Sequence, residues 1–372
     1  MTNATSFART PSAIETQPRA EAITHPLHGG LGATATPADR GEPARHGRRL
    51  LVCLDRSTPS EVCVAHAISL ARTFGSAVTL VHVMQPSHEH AGPQSNDALG
   101  WEISRQESQG YLERVQTEVS QALGRAVEIR LEQGRPAERI VDLAREVSAD
   151  LIIIGSRGDG GTGASSLGST ASQVLAAAHG SVFVAHPGAG ARIEASPKRI
   201  LVPLDGSLRG ESVLPAAARI ARAFGAELLL VHVVQEPLAT ALLPAAEDMA
   251  LARTLAGRLE SGAARYLARL RQQLAHDRTS VRTLVLRHAS EPQCLLEMCE
   301  REQVDLVVLS AHGSTCASAR TFGSVTASLL TRTSLPLLIL QDLPDSDVLG
   351  LENQSATVAP PSPRATYSAD VA

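Results

Sequence analysis

The sequence predicts an α/β fold of two tandem domains, each a five-stranded, mainly parallel sheet with helices on both faces. Three observations lead to this prediction. Apolar runs typical of buried strands alternate with longer amphipathic segments typical of helices. Aromatic residues make up only 2% of the chain, so its cores must be aliphatic, which suits α/β layers. A series of landmarks also recurs about 150 residues later.

The first unit alternates strands with helices. The predicted strands are 50–55, 78–83, 127–131, 150–154 and 181–185, and the predicted helices are 59–74, 98–123, 136–147 and 171–176. Gly75 follows the first helix as its expected C-cap. Alternation of this kind implies parallel strands joined by right-handed crossovers.

The second unit repeats the first in the same order. Asp205, Phe224-Gly225 and Val231-His232-Val233 match first-unit residues at an offset of 150, whereas the strand 304–309 and Gly313 match at 155. Five extra residues are therefore expected between the second and fourth strands, in or near a long helix at 248–276. The last predicted strand is 336–340.

Composition sets the expected boundaries. We expect domains at 48–187 and 198–342, a Gly/Ala-rich linker at 188–197, and disordered tails at 1–47 and 343–372. A net charge of −4 gives no general attraction to nucleic acid or to an anionic membrane. No apolar run reaches about 18 residues, so a cytoplasmic protein is expected.

The most informative stretch is Gly155-Ser156-Arg157-Gly158, which follows a buried strand and precedes Gly168-Ser169-Thr170 at the start of a helix. Glycines let a ligand approach the backbone, and the first N–H groups of a helix bind anions. We interpret the stretch as a cradle for the phosphates of a nucleotide. It is no Walker A loop, because Lys198 is the only lysine of the chain.

These residues resemble the universal stress protein family in its tandem-domain form. Gly155, Gly158, Gly168 and Ser169 match the family signature Gly-x2-Gly-x9-Gly-[Ser/Thr], and the initial aspartate is present as Asp55. The resemblance implies a doubly wound fold of the flavodoxin-like or Rossmann-like type. It also implies ATP binding at the carboxyl ends of the strands, where ligands of open α/β sheets bind.

The resemblance assigns roles residue by residue. Asp55 is expected to contact ribose or adenine, and Val83 to form an apolar wall for adenine. Gly155 and Gly158 are expected to line the ribose and first phosphates, while Gly168, Ser169 and Thr170 hold the outer phosphates. From their places in the two glycine loops, Arg157 and His312 either face phosphate or are simply exposed. The matched positions of the second domain are Asp205, Val233, His312, Gly313, Gly323, Ser324 and Val325. Mg²⁺ could bridge the phosphates, but no dedicated metal ligands and no catalytic residues are predicted.

Two alternatives remain open. A protein-interaction scaffold without a nucleotide is favoured by Ser310, which replaces the first loop glycine, and by Cys53, where the repeat has Pro203. A weak ATPase is the other alternative, although no nucleophile with a base partner is visible. Gly158–Gly163 also fits the dinucleotide motif GxGxxG, but it follows the wrong strand and lacks the downstream acid.

Further expectations concern single residues and assembly. His82 and His232 end matched strands and are expected to be packed and hydrogen-bonded rather than catalytic, and the five cysteines are expected to be structural thiols. The strands 181–185 and 336–340 are expected to join the domains into a pseudo-twofold pair, because exposed edges invite pairing. An unidentified protein partner and a homodimer are also possible.

Overall fold

A computed structural model describes residues 49–85, 98–158, 167–178, 180–186, 196–235, 246–275, 279–313 and 322–341. The tails 1–47 and 343–372, most of the linker 188–197, and residues 159–163 of the GxGxxG match lie outside these ranges. The described residues up to 186 are called the first repeat, and those from 196 on the second repeat.

Strands and helices alternate throughout both repeats. The first contains β1 (Arg49–Cys53), α1 (Thr58–Phe74), β2 (Ala77–Met84), α2 (Ala98–Leu123), β3 (Glu128–Gln133), α3 (Pro136–Glu146), β4 (Leu151–Gly155), α4 (Ser169–Ala177) and β5 (Ser181–Ala185). The second contains β6 (Arg199–Pro203), α5 (Leu208–Glu211), α6 (Leu214–Phe224), β7 (Glu227–Gln235), α7 (Ala246–Ala275), β8 (Ser280–His288), α8 (Glu291–Arg301), β9 (Leu306–Ser310), α9 (Ser324–Arg332) and β10 (Leu337–Leu340).

The two repeats share one sheet of the order β3-β2-β1-β4-β5-β10-β9-β6-β7-β8. Within each repeat all the pairs are parallel, and the order 3-2-1-4-5 is the Rossmann type of doubly wound sheet. The α/β fold predicted from the alternation is therefore confirmed. Parallel strands of this kind are buried on both faces, which explains their continuous aliphatic runs.

The repeats meet through their last strands, as the sequence predicts. β10 pairs antiparallel with β5, and Leu338 lies opposite Phe183. Positions 183 and 338 are themselves 155 apart, so they are equivalent positions of the two repeats. The pairs on either side, Leu337 with Val184 and Ile339 with Val182, are also exchanged by this symmetry. A local twofold axis therefore passes through the Phe183–Leu338 pair.

One apolar cluster covers each face of the sheet. The first packs α1, α2, α6 and α7 against one face, and the second packs α3, α4, α8 and α9 against the other. Alternate residues of each strand enter opposite clusters: Phe183 and Ala185 belong to the first, Val182 and Val184 to the second. This alternation determines which side chains lie on the same face of the sheet and can contact each other.

Three details go beyond the sequence prediction. The helix after β6 is split into α5 and α6, because Pro215 lacks an N–H and suits only a first helical turn, where it stands in α6. β8 was not predicted as a strand. Of the five extra residues, four lie between the second and third strands: Thr79 pairs with Glu128 and Leu229 with Arg282, separations of 49 and 53.

Candidate functional site

The predicted site residues gather where the strand order reverses. In the first repeat β1 is flanked by β2 and β4, so the connections from β1 and β4 diverge and leave a crevice at their carboxyl ends. Asp55 follows β1 by two residues, and Gly155 ends β4. Asp205 and Ser310 have the same places after β6 and in β9 of the second repeat.

The aspartate of each repeat is oriented by the serine that caps the next helix. Asp55 Oδ1 accepts hydrogen bonds from the Ser57 amide at 3.0 Å and the Ser57 hydroxyl at 2.5 Å. Asp205 Oδ1 accepts the same two bonds from Ser207, at 3.0 and 2.6 Å. One oxygen of each aspartate carboxylate is thus held in place by two hydrogen bonds from a serine, and this arrangement is present in both repeats.

The other oxygen of each aspartate lies against a loop glycine. A Cβ placed on Gly158 would stand 2.1 Å from Asp55 Oδ2, and one on Gly313 would stand 2.5 Å from Asp205 Oδ2. A side chain at either position would force the aspartate carboxylate to turn away. Glycine therefore permits the observed contact between the end of the first strand and the loop after the fourth.

The glycine loop closes onto its own strand before the next helix begins. The Gly168 amide donates to the Ser156 carbonyl at 2.8 Å, and the Gly323 amide donates to the Ala311 carbonyl at 3.0 Å. Gly168 and Gly323 are the N-caps of α4 and α9, and neither helix has a side-chain cap. The first amides of these helices, including those of the predicted residues Ser169, Thr170, Ser324 and Val325, therefore have no helical acceptor.

Ser310 fits the second loop without distorting it. A Cβ on the equivalent Gly155 would point at the Arg157 carbonyl oxygen, 3.1 Å away. Ser310 takes that direction, and its hydroxyl donates to the His312 carbonyl at 2.7 Å. The hydroxyl of Ser310 is thus directed into its own loop. His312 and Arg157 occupy matched, half-buried places.

The second strands supply the apolar wall. Val83 is half-buried, and Val233 is buried. The preceding histidines are hydrogen-bonded as predicted: Nδ1 of His82 donates to the Leu54 carbonyl at 2.8 Å, and Nδ1 of His232 donates to the Leu204 carbonyl at 2.7 Å. They tie the second strand of each repeat to the residue before the aspartate.

Glu291 is a site residue that the sequence analysis missed. It begins α8, and burial together with the nearby Asp205 carboxylate raises the pKa of Glu291 to about 7. Its counterpart at the start of α3 is Pro136. No local pattern in the sequence indicates this residue, because its electrostatic interaction with Asp205 joins positions far apart in the chain.

Other chemistry is not visible in the described residues. They contain no group of three or more potential metal ligands, and none of their helices is long and apolar enough to span a membrane. Cys53, Cys63, Cys294 and Cys299 are free and buried, and burial raises the pKa of each thiol, which disfavours the reactive thiolate. Cys316 lies outside the described ranges.

Comparison with known proteins identifies relatives of both repeats. The model of the "Universal stress protein family" matches residues 47–186 and 197–341. A universal stress protein of Mycolicibacterium smegmatis is 27% identical over 299 residues, covering 78% of this chain and 96% of its own.

A solved structure that covers both repeats has the same fold. A universal stress protein from Archaeoglobus fulgidus superimposes with a TM-score of 0.58 at 17% identity, covering 80% of this chain and 99% of that one. Another structure from A. fulgidus, solved in complex with dAMP, matches 37% of this chain and 96% of its own, at 25% identity and a TM-score of 0.29.

Proposed function

The chain belongs to the universal stress protein family, and from this premise we propose that each repeat binds an adenine nucleotide, with ATP as the principal ligand. The protein then acts as a nucleotide-dependent regulator of a stress response in the cytosol. The structure of the A. fulgidus complex contains dAMP bound to the A. fulgidus protein and says nothing of the ligand of this chain. For this chain the proposal rests on its own residues.

The observation that carries the proposal is the contact between aspartate and glycine in both repeats. It sets a carboxylate with a fixed orientation beside the backbone of a glycine, which carries no side chain of its own, at the point where the sheet opens. A carboxylate accepts hydrogen bonds from the hydroxyls of a ribose, and bare backbone admits the ribose and the first phosphate. Val83, near the end of β2, and Val233, near the end of β7, would supply an apolar wall for the base.

The phosphates would lie at the start of α4 and α9. Their first amides have no helical acceptor, and a helix N-terminus favours negative charge. Arg157 and His312 stand in the loops before these helices and would add positive charge or a donor. Mg²⁺ would be held by the phosphate oxygens themselves. We assign no residue to hydrolysis, so the proposal is a binding protein.

Calorimetric titration of the full chain with ATP and Mg²⁺ tests this proposal. We expect two ATP molecules per chain, falling to one in Asp55→Ala and one in Asp205→Ala. Asp150→Ala is the matched control, because the Asp150 side chain accepts from the Arg49 amide at the opposite end of the same sheet. Two sites are expected to remain in that control. Absence of binding by the wild type would favour the interaction scaffold.

A further inference from the structure

Two buried polar side chains of the first repeat lie side by side above the end of the sheet. Gly155 of β4 lies opposite Ala185 of β5, and the Ser156 amide donates to the Ala185 carbonyl at 2.7 Å, so the ladder extends to Ser156 and His186. By strand parity both side chains face the cluster that contains α3 and α4. The start of α4 lies against Ser156 through the hydrogen bond from Gly168.

Among the residues that the structure describes, neither polar tip has a hydrogen-bond partner. Ser156 is 1% exposed and His186 is 8% exposed, and both Ser156 Oγ and His186 Nε2 are buried without a hydrogen bond. An unsatisfied buried polar group costs about 1–3 kcal/mol, so such groups normally meet a water or a ligand. A hydroxyl and an imidazole nitrogen that no described residue satisfies thus lie on the α4 face of the sheet, and the start of α4, whose first amides have no helical acceptor, contacts the first of these residues.

The second repeat has the same backbone without these side chains. The Ala311 amide donates to the Leu340 carbonyl at 2.9 Å, and the Gly323 amide donates to the Ala311 carbonyl, as at the first loop. The positions equivalent to Ser156 and His186, 155 residues on, are Ala311 and Gln341. The two candidate sites therefore share this part of their backbone frame, and this pair of side chains is one of the places where they differ.

The chemistry of the pair suits an anionic oxygen. Burial and, secondarily, Arg157 lower the pKa of His186 to about 4, so the ring is neutral at pH 7 and carries one N–H. Arg157 is the only charged group that acts on His186 within the described part of the chain. With its proton on Nε2, the ring is a donor, as are the serine hydroxyl and the helix amides, whereas phosphate oxygens accept.

We propose that Ser156 and His186 form a phosphate-selective pair that donates hydrogen bonds to the outer phosphates of the nucleotide in the first repeat only. This inference rests on the proposed nucleotide binding and deepens it. The first repeat then prefers the triphosphate over the monophosphate, whereas the second repeat, with Ala311 and Gln341, discriminates less between them.

The test measures the affinity for ATP and for AMP at one site at a time. Gly323→Glu disables the second site by charge, and its Cβ meets only ordinary contacts, of which the nearest is at 3.6 Å. In that background we expect the ratio of Kd for AMP to Kd for ATP to fall about tenfold in Ser156→Ala and in His186→Gln, since each loses one bond to a charged group. These variants install the residues of the second repeat.

The reciprocal experiment keeps the inference testable even if the variants of the first repeat fail to fold. In a Gly168→Glu background, Ala311→Ser combined with Gln341→His is expected to raise the same ratio at the second site. The inference is overturned if both nucleotides bind but neither set of variants changes the ratio beyond twofold. If neither nucleotide binds to the wild type, the proposed function itself has failed. Thermal unfolding of each variant is measured first. If the first-repeat variants are unfolded, the ratio measured for the reciprocal variants decides between the outcomes.

Discussion

Replacing Gly158 with alanine tests the contact between aspartate and glycine on which the candidate site of the first repeat depends. The new Cβ would stand 2.1 Å from Asp55 Oδ2 and 3.3 Å from Asp55 Cγ, so the carboxylate must turn away. Turning breaks the two bonds that Oδ1 accepts from Ser57. A hydrogen bond to a charged group contributes about 1.5–3 kcal/mol, but Asp55 is exposed and water replaces part of it. We therefore expect a loss of about 1–3 kcal/mol in the free energy of unfolding.

Urea unfolding of four proteins measures this loss: wild type, Gly158→Ala, Asp55→Ala and the double variant. If the carboxylate causes the cost, Gly158→Ala costs little once Asp55 has been removed, which gives a coupling energy of about 1 kcal/mol or more. Gly110→Ala is the matched control. Its Cβ meets nothing within 4 Å on α2, and alanine there is expected to stabilise the helix by about 0.5–1 kcal/mol. An equal cost of Gly158→Ala with and without Asp55 would refute the reasoning.

Three further predictions concern the loop, the seam and the pH dependence. Gly155→Ser is expected to cost less than about 1 kcal/mol and to retain ATP binding, since Ser310 shows how a hydroxyl fits there; loss of folding on thermal unfolding would contradict this. Phe183→Ala is expected to cost about 3–5 kcal/mol in urea unfolding, because the ring is 2% exposed at the seam between the repeats; a cost below 1 kcal/mol would contradict it. Burial lowers the pKa of His66 from 6.5 to about 4, so this residue binds more protons in the unfolded chain between these values and contributes a loss of about 3 kcal/mol in stability as the pH drops through them, in addition to the loss that the lowered pKa of His186 contributes. His66→Gln should flatten this part of the pH profile, and an unchanged profile would exclude His66 as its source.

Local patterns predicted most of the elements and the places of the glycines. The strands are aliphatic runs, Gly75 ends α1 in the left-handed conformation at φ 66°, and the duplication is visible as constant offsets. The join between the repeats was predicted from the edges of the last strands. Its register, with Phe183 opposite Leu338, could not be predicted, because it depends on packing between segments far apart in the chain.

The sequence placed the candidate site but gave few of its contacts. The contact between Asp55 and Gly158 requires β1 and β4 to be neighbours, which is a property of strand order rather than of either motif. Ser156 and His186 are unremarkable in sequence and meet only through the β4–β5 pairing. Glu291 acquires its raised pKa from burial and from Asp205, again through tertiary structure.

The most direct test of nucleotide binding is to identify the small molecules that denaturation releases from freshly purified full-length protein. Mass spectrometry of the released material would be compared between wild type and Gly168→Glu, in which the new carboxylate meets the start of α4. We predict one or two equivalents of an adenine nucleotide from the wild type and one fewer from the variant. A wild type that releases none, and that also fails to bind added ATP with Mg²⁺, would contradict the proposed function.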